Sequence, residues 1–261
     1  MCLIVFDWRP GSATPLRLAA NRDEFHDRPS AALALWDDAP EILGGRDLRA
    51  GGTWLAAHTQ GRLAAVTNVR DPEFKAHVDG PSRGQLVRDA LECQSLVDWL
   101  NALARGDAEK YAGFNLLASD GHTLWHLHHG RDATRLQEVA AGLHGLSNAS
   151  LDTPWPKLER SRMRLGEALA DTDRDFANAA WELLADDHRP DDAVLPDTGV
   201  GLPLERLLSS PFIIGDDYGT RASTWVAWHA SGEIAIGERR FGPAGRLLGE
   251  TRLGVSVPSK D

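Results

Sequence analysis

The 261-residue chain is poor in cysteine, with only Cys2 and Cys93. Two cysteines supply no disulfide framework, so a reducing, cytoplasmic compartment is the expected setting. Long apolar runs are missing, and none could cross a bilayer as a helix. The short run from Cys2 to Phe6 has no Lys or Arg before it and meets Asp7 at once, which does not read as a signal peptide. Positive charge is in deficit: 28 Lys and Arg face 38 Asp and Glu, a net charge of -10. That balance argues against a nucleic-acid partner, which needs a basic surface, and against docking on anionic membranes. No glycine-rich phosphate loop of the strand–helix kind is present, because Gly44-Gly45 and Gly51-Gly52 lack the following helix and lysine. Neither a Cys-x-x-Cys nor a His-Glu-x-x-His pattern occurs, so no zinc site is expected. Tyrosine is scarce at two, against nine Trp, which read as core walls.

What is present is the composition of a globular protein, 42% hydrophobic and 25% charged, expected to form one domain over residues 1–261. Hairpin signals recur. Cys2–Trp8 alternates, with Cys2, Ile4 and Phe6 on one face and Leu3 and Val5 on the other, and residues 16–20 return after a Pro- and Gly-bearing turn. Further hairpins are expected over residues 53–57 with 62–67, 114–118 with 122–128 across Asp120-Gly121, and 225–228 with 233–236, then a last strand over 246–255. Helical spacing follows the caps Ser82 and Ser95 and recurs over Pro156–Ala170 and 175–184. Residues 186–201 read as a surface loop. Antiparallel hairpins with helices in blocks make an α+β pattern, which two stacked sheets covered by helices would satisfy.

Cys2 is the first candidate for chemistry. If Met1 is removed, the chain starts with a thiol beside a free α-amine whose reference pKa is about 7.7–8.0, so one residue supplies nucleophile and base. As a residue of a core strand it is equally a small buried hydrophobe. The first hairpin pairs residues whose numbers sum to about 24, which brings Arg22, flanked by Asn21 and Asp23, to the side of Cys2. An Arg lowers a nearby thiol pKa and an Asp can hold an ammonium or a proton in transit.

Met1-Cys2-Leu3-Ile4-Val5 followed at this distance by Asn21-Arg22-Asp23-Glu24 resembles the NRDE family, also called the transport-and-Golgi-organisation protein two family. Gly44-Gly45-Arg46-Asp47, Gly51-Gly52-Thr53-Trp54-Leu55, Thr67-Asn68, Ser147-Asn148 and Tyr218-Gly219-Thr220-Arg221 extend the likeness over nearly the whole chain. The family is similar to N-terminal-nucleophile (Ntn) hydrolases and, more remotely, to penicillin V acylases and bile-salt hydrolases. The resemblance implies a four-layer αββα sandwich with Cys2 as the nucleophile of an amide or thioester hydrolase or acyltransferase. It implies Asp23 and Asn21 as orienting residues, and Asn68 and Asn148 as oxyanion or substrate donors. Such donors act by stabilising the charge that develops on the attacked carbonyl. The acylases carry an Arg directly before the matched Asn, where this sequence has Ala20. Arg22 is expected on the other face of the strand from that position, and Arg221 could supply the charge instead. Arg22 and Arg221 are candidates to bind a substrate carboxylate. Gly44, Gly45, Gly51 and Gly52 are expected to allow tight loop approach near the pocket.

His122, His126, His128 and His129 crowd one expected strand, the first three on one face. They read first as solvent-facing or hydrogen-bonded residues, although neutral imidazole can also bind haem iron. The family resemblance associates the chain with intracellular haem trafficking and lipid or acyl-coenzyme A homeostasis. The alternative to a hydrolase that needs no cofactor is therefore a haem or acyl-thioester carrier without turnover, and the implied partner is a small acyl substrate or haem.

Overall fold

In the computed structural model, residues 2–74, 80–171 and 173–256 are described; Met1, and with it the question of its removal, lies outside them. Six strands form one sheet: β1 (Cys2–Trp8), β2 (Leu16–Phe25), β10 (Gly142–Leu146), β11 (Tyr218–Trp228), β12 (Glu233–Phe241) and β13 (Leu247–Ser256), in the order β10-β1-β2-β11-β12-β13. The second sheet runs in sequence order: β3 (Ser30–Trp36), β4 (Ala39–Asp47), β5 (Leu55–His58), β6 (Arg62–Asn68), β7 (Phe114–Ser119), β8 (Leu124–His129) and β9 (Thr134–Glu138). All pairings are antiparallel. Helices α1 (Arg83–Glu92) and α2 (Leu96–Arg105) cover the second sheet. Helices α3 (Pro156–Ala170) and α4 (Phe176–Leu184) cover the first, and a short α5 (Leu202–Leu207) follows. The layers are helix, sheet, sheet, helix.

Strand β1 is buried at every position, and period two decides what each side chain meets. Cys2, Ile4, Phe6 and Trp8 join the core between the sheets, with Leu18, Val226 and Ile236. Leu3 and Val5 join the other core, with Leu158, Leu165 and Leu184 of α3 and α4. Each fully buried side chain of this size contributes about 1.5–3 kcal/mol. The expected hairpin register holds, with Cys2 opposite Arg22.

Ser82 and Ser95 cap α1 and α2 as expected, accepting from Gly84 N–H and Asp98 N–H. Helix α3 has the expected bounds, with Pro156 as its first residue, where no helical amide donor is lost. Strands β3, β4, β9 and β10 were not expected. Gly44 and Gly45 lie inside β4 instead of in a loop: a Cβ on Gly44 would sit 2.7 Å from the Ala56 Cβ. Gly52 does make a tight loop approach, since a Cβ there would stand 2.5 Å from the Gly84 carbonyl carbon at the start of α1.

Candidate functional site

Cys2 opens onto a cavity of about 140 Å³ at one end of the space between the sheets. The end follows from the sequence of the strands. Along the inner face of β1 and β2, the rungs Trp8–Leu16, Phe6–Leu18 and Ile4–Ala20 are apolar, and the last rung, Cys2–Arg22, is polar. The polar rung cannot seal, so the sheets part there. Cys2 is itself only 6% exposed, and its carbonyl is held by the Ser147 hydroxyl at 3.0 Å. Burial raises the thiol pKa, Asp23 adds to that, and the Arg22 field and the Asp23 backbone N–H oppose it. The thiol therefore stays protonated near neutral pH without a dedicated base.

Asn68, at the end of β6, lines the same cavity as Cys2. So do Arg22, which ion-pairs loosely with Glu24 at 3.6 Å, and Arg221. Six arginines and four acids line the space, an excess of positive charge in an acidic chain. Arg83, the first residue of α1, is among them, and its guanidinium donates to the Gly113 carbonyl at 3.1 Å. Burial lowers its pKa against the opposing fields of Cys2 and Glu24. A cation in the first turn of a helix runs against the helix dipole, so the start of α1 and Arg83 together present positive potential near the thiol.

The other face of β2 is different. The Asn21 amide donates to the Leu184 and Pro211 carbonyls, both at 2.9 Å, and its oxygen accepts from the Ser223 hydroxyl at 2.6 Å. Asn21 ties β2 to α4 and to the segment before β11 and points away from the thiol, a correction to its expected orienting role. Asp23 accepts from the Thr220 hydroxyl at 2.7 Å. Its carboxyl is raised by burial and pulled back by Lys157. Lys157, on the first turn of α3, is buried, donates to the Leu208 carbonyl at 3.0 Å, and is lowered by burial to about 8. Behind them Arg70 and Glu205 form a buried ion pair at 2.6 Å, with Arg70 over the Trp155 ring.

The profile of the Transport and Golgi organisation 2 family matches residues 1–243. The chain belongs to that family. It is 38% identical over 263 residues to the Transport and Golgi organization protein 2 homolog of Bos taurus, and 35% identical over 260 residues to that of Homo sapiens, each alignment spanning 92% of both chains. Among solved structures it shares its fold with the C2A mutant of a conjugated bile acid hydrolase from Clostridium perfringens. That likeness has a TM-score of 0.50 at 9% identity and covers 96% of this chain and 92% of the other. The architecture is Ntn-hydrolase-like.

As a member of the Transport and Golgi organisation 2 family, the chain places its signature residues in unequal positions. Asn148 is 1% exposed and off the Cys2 cavity. Its amide donates to the Asn68 carbonyl at 2.8 Å, and its oxygen meets Ser147 and Arg70. It braces the Asn68 backbone instead of facing the thiol. Arg221 sits in a β-bulge between Thr220 and Ala222, where an extra residue re-aims the chain. Its guanidinium donates to the carbonyls of Phe25, Arg28 and Phe241, which leaves little for an anion. Arg22 lies on the same face as Ala20 and Cys2, not the opposite one, because residues two apart on a strand share a face.

Glu238, like Arg83 and Lys157, was not singled out in the sequence. Glu238 is 4% exposed, accepts from Leu33 N–H at 2.8 Å, and is raised to about 6 by burial, against Arg240 and Arg22. A Cβ on Gly45 would stand 3.0 Å from its second oxygen, so the glycine of Gly44-Gly45-Arg46-Asp47 makes room for this carboxyl.

A larger cavity of about 810 Å³ holds His126 and His128. Their Nε2 and Nδ1, respectively, both meet the Asn115 carbonyl oxygen, at 3.2 and 2.7 Å. His122 precedes β8 and lies in its turn, and His129 meets the Thr134 hydroxyl. His126 is 2% exposed and lowered to about 3 by burial. Burial and the Asn115 contact suit His126 to hydrogen bonding, while His128 is half-buried on the cavity wall with its Nδ1 engaged. Among the described residues no helix is long and apolar enough to cross a membrane.

Proposed function

We propose that the protein is a cysteine hydrolase or acyltransferase acting on an amide or thioester of a small acyl compound, with Cys2 as the nucleophile. The observation that carries this reading is Cys2 on the wall of a positively lined cavity that Asn68 lines from the facing sheet. The raised thiol needs a base. With Met1 cleaved, the Cys2 α-amine has the ordinary pKa for that task, and Asp23 is the buried counter-charge one strand away.

In the reaction, the α-amine takes the thiol proton and the sulfur bonds to the substrate carbonyl carbon. The Asn68 side-chain amide donates to the resulting oxyanion; one such donor accounts for roughly 3–4 kcal/mol of barrier. The C–N or C–S bond breaks and the leaving amine or thiol takes the proton. Water, or an acceptor amine in acyl transfer, then attacks the thioester, frees the acyl product and restores the thiol. Asn148 positions Asn68, and Arg22 meets substrate anions.

The test is a panel of amide, ester and thioester substrates beside a haem titration, on wild type and Cys2→Ala, with intact mass to read Met1. Turnover that vanishes in Cys2→Ala supports the reading. Turnover that survives in Cys2→Ala refutes it. No turnover, with haem or acyl-thioester binding equal in both proteins, points to a carrier instead.

A further inference from the structure

Strands in register place side chains in rungs across a sheet. One rung of the first sheet reads Cys2, Arg22, Ala222, Arg240 across β1, β2, β11 and β12. The next reads Ile4, Ala20, Thr224, Glu238. Both point between the sheets, as the inter-sheet core residues Val226 and Ile236 two places further on show. All four residues of the first rung line the Cys2 cavity. Three strand spacings put roughly 14 Å between the Cys2 and Arg240 backbones. Ala222 leaves a low floor between the two guanidinium groups.

The lining cations are not equivalent. Arg28 is paired with Asp47 at 2.5 Å, Arg46 with Asp38, and Arg221 is spent on carbonyls. The Arg240 guanidinium makes no hydrogen bond or ion pair among the described residues. Its nearest acid along the strand, Glu238, is pinned by Leu33 N–H and packed against Gly45, so it cannot swing across to neutralise it. A half-buried cation with no direct hydrogen bond or ion pair, and only the field of Glu238 across the rungs, gains most from a ligand that brings an anion.

We propose that Arg240 reads a carboxylate or phosphate at the end of the substrate remote from the carbonyl that Cys2 attacks. This rests on the hydrolase reading and adds its substrate class: acyl compounds with an anionic far end, extended along the rung. A neutral far end gives Arg240 no direct ion pair, which is the source of the discrimination.

The experiment compares an adipoyl thioester, its phosphonate-ended equivalent and a hexanoyl thioester of the same leaving group, on wild type, Arg240→Gln and Arg240→Lys. Wild type should show a KM about tenfold lower for an anion-ended substrate than for hexanoyl, with the better of the two anions naming the source. Arg240→Gln should cut most of that preference, leaving only the share of Arg22, and Arg240→Lys should recover part of the loss. Equal KM values for charged and uncharged substrates in wild type would overturn the proposal while leaving the hydrolase reading intact. If no thioester turns over, calorimetric binding of adipate and of inorganic phosphate to Cys2→Ala still decides. Weaker binding by about tenfold in Cys2→Ala with Arg240→Gln supports Arg240 as the anion reader, and unchanged binding refutes it.

Discussion

The two faces of β2 carry polar residues only one position apart, yet they are built differently. On the outer face, Asn21 has its amide and its oxygen held by three partners, and Asp23 lies among Thr220, Lys157 and the Arg70–Glu205 pair. On the inner face, Arg22 has one loose ion pair, and Arg240 on the same rung has none among the described residues. Dense hydrogen bonding marks groups that hold the fold together. Polar groups left loose beside a cavity are those still able to meet a ligand.

That contrast sets the size of several mutational effects. Arg70→Met strands the Glu205 carboxylate in the interior and should cost about 3–5 kcal/mol in urea unfolding; a cost near zero would remove the outer network from the account. Asn21→Ala orphans two carbonyls and the Ser223 hydroxyl, and about 3 kcal/mol should be lost by the same measurement.

Glu238 tests the inner face through pH. Its pKa in the fold, about 6, lies above the ordinary carboxylate value, so the folded chain binds more protons than the unfolded one between about pH 4.5 and 6. The stability that this group contributes is therefore fully present below that window and is lost as pH rises through it, about 2 kcal/mol for this one group. Glu238→Gln should flatten that part of the wild-type profile and be the more stable protein at pH 7; a parallel profile would contradict the assignment. The smallest effect on stability belongs to Arg22→Gln, about 1 kcal/mol or less. Its turnover of an anionic substrate should nonetheless fall about tenfold, mainly through KM.

Much of the frame was legible in the residues. Alternation and turn chemistry gave the β1–β2 pairing with numbers summing to about 24, as observed, and capping gave the starts of two helices. Strands β3 and β4 were missed because Ala-rich Ser30–Trp36 and the Pro- and Gly-bearing Ala39–Asp47 lack clear alternation. Strand β9 carries mostly polar, half-exposed residues at a sheet edge. In the site, Cys2, Arg22 and Asn68 came from hairpin arithmetic and the family motifs. Glu238 could not, because its partner Leu33 is 205 residues away, and no local pattern marks such a contact. Lys157 meets Leu208 and Asp23 in the same long-range way. Arg83 did leave a trace, a cation where a helix start prefers an acid. Arg221 and Asn148 carried the right motifs, but the bulge and the Asn68 carbonyl that claim them exist only in the folded chain.

The central claim is that the Cys2 sulfur accepts an acyl group from a ligand in its cavity. Mixing the protein with an acyl thioester, quenching in acid and mapping peptides by mass spectrometry measures this directly. The account predicts an acyl group on Cys2 that decays with turnover and does not form on Cys93. An adduct confined to Cys93, or no adduct while product accumulates, would contradict it.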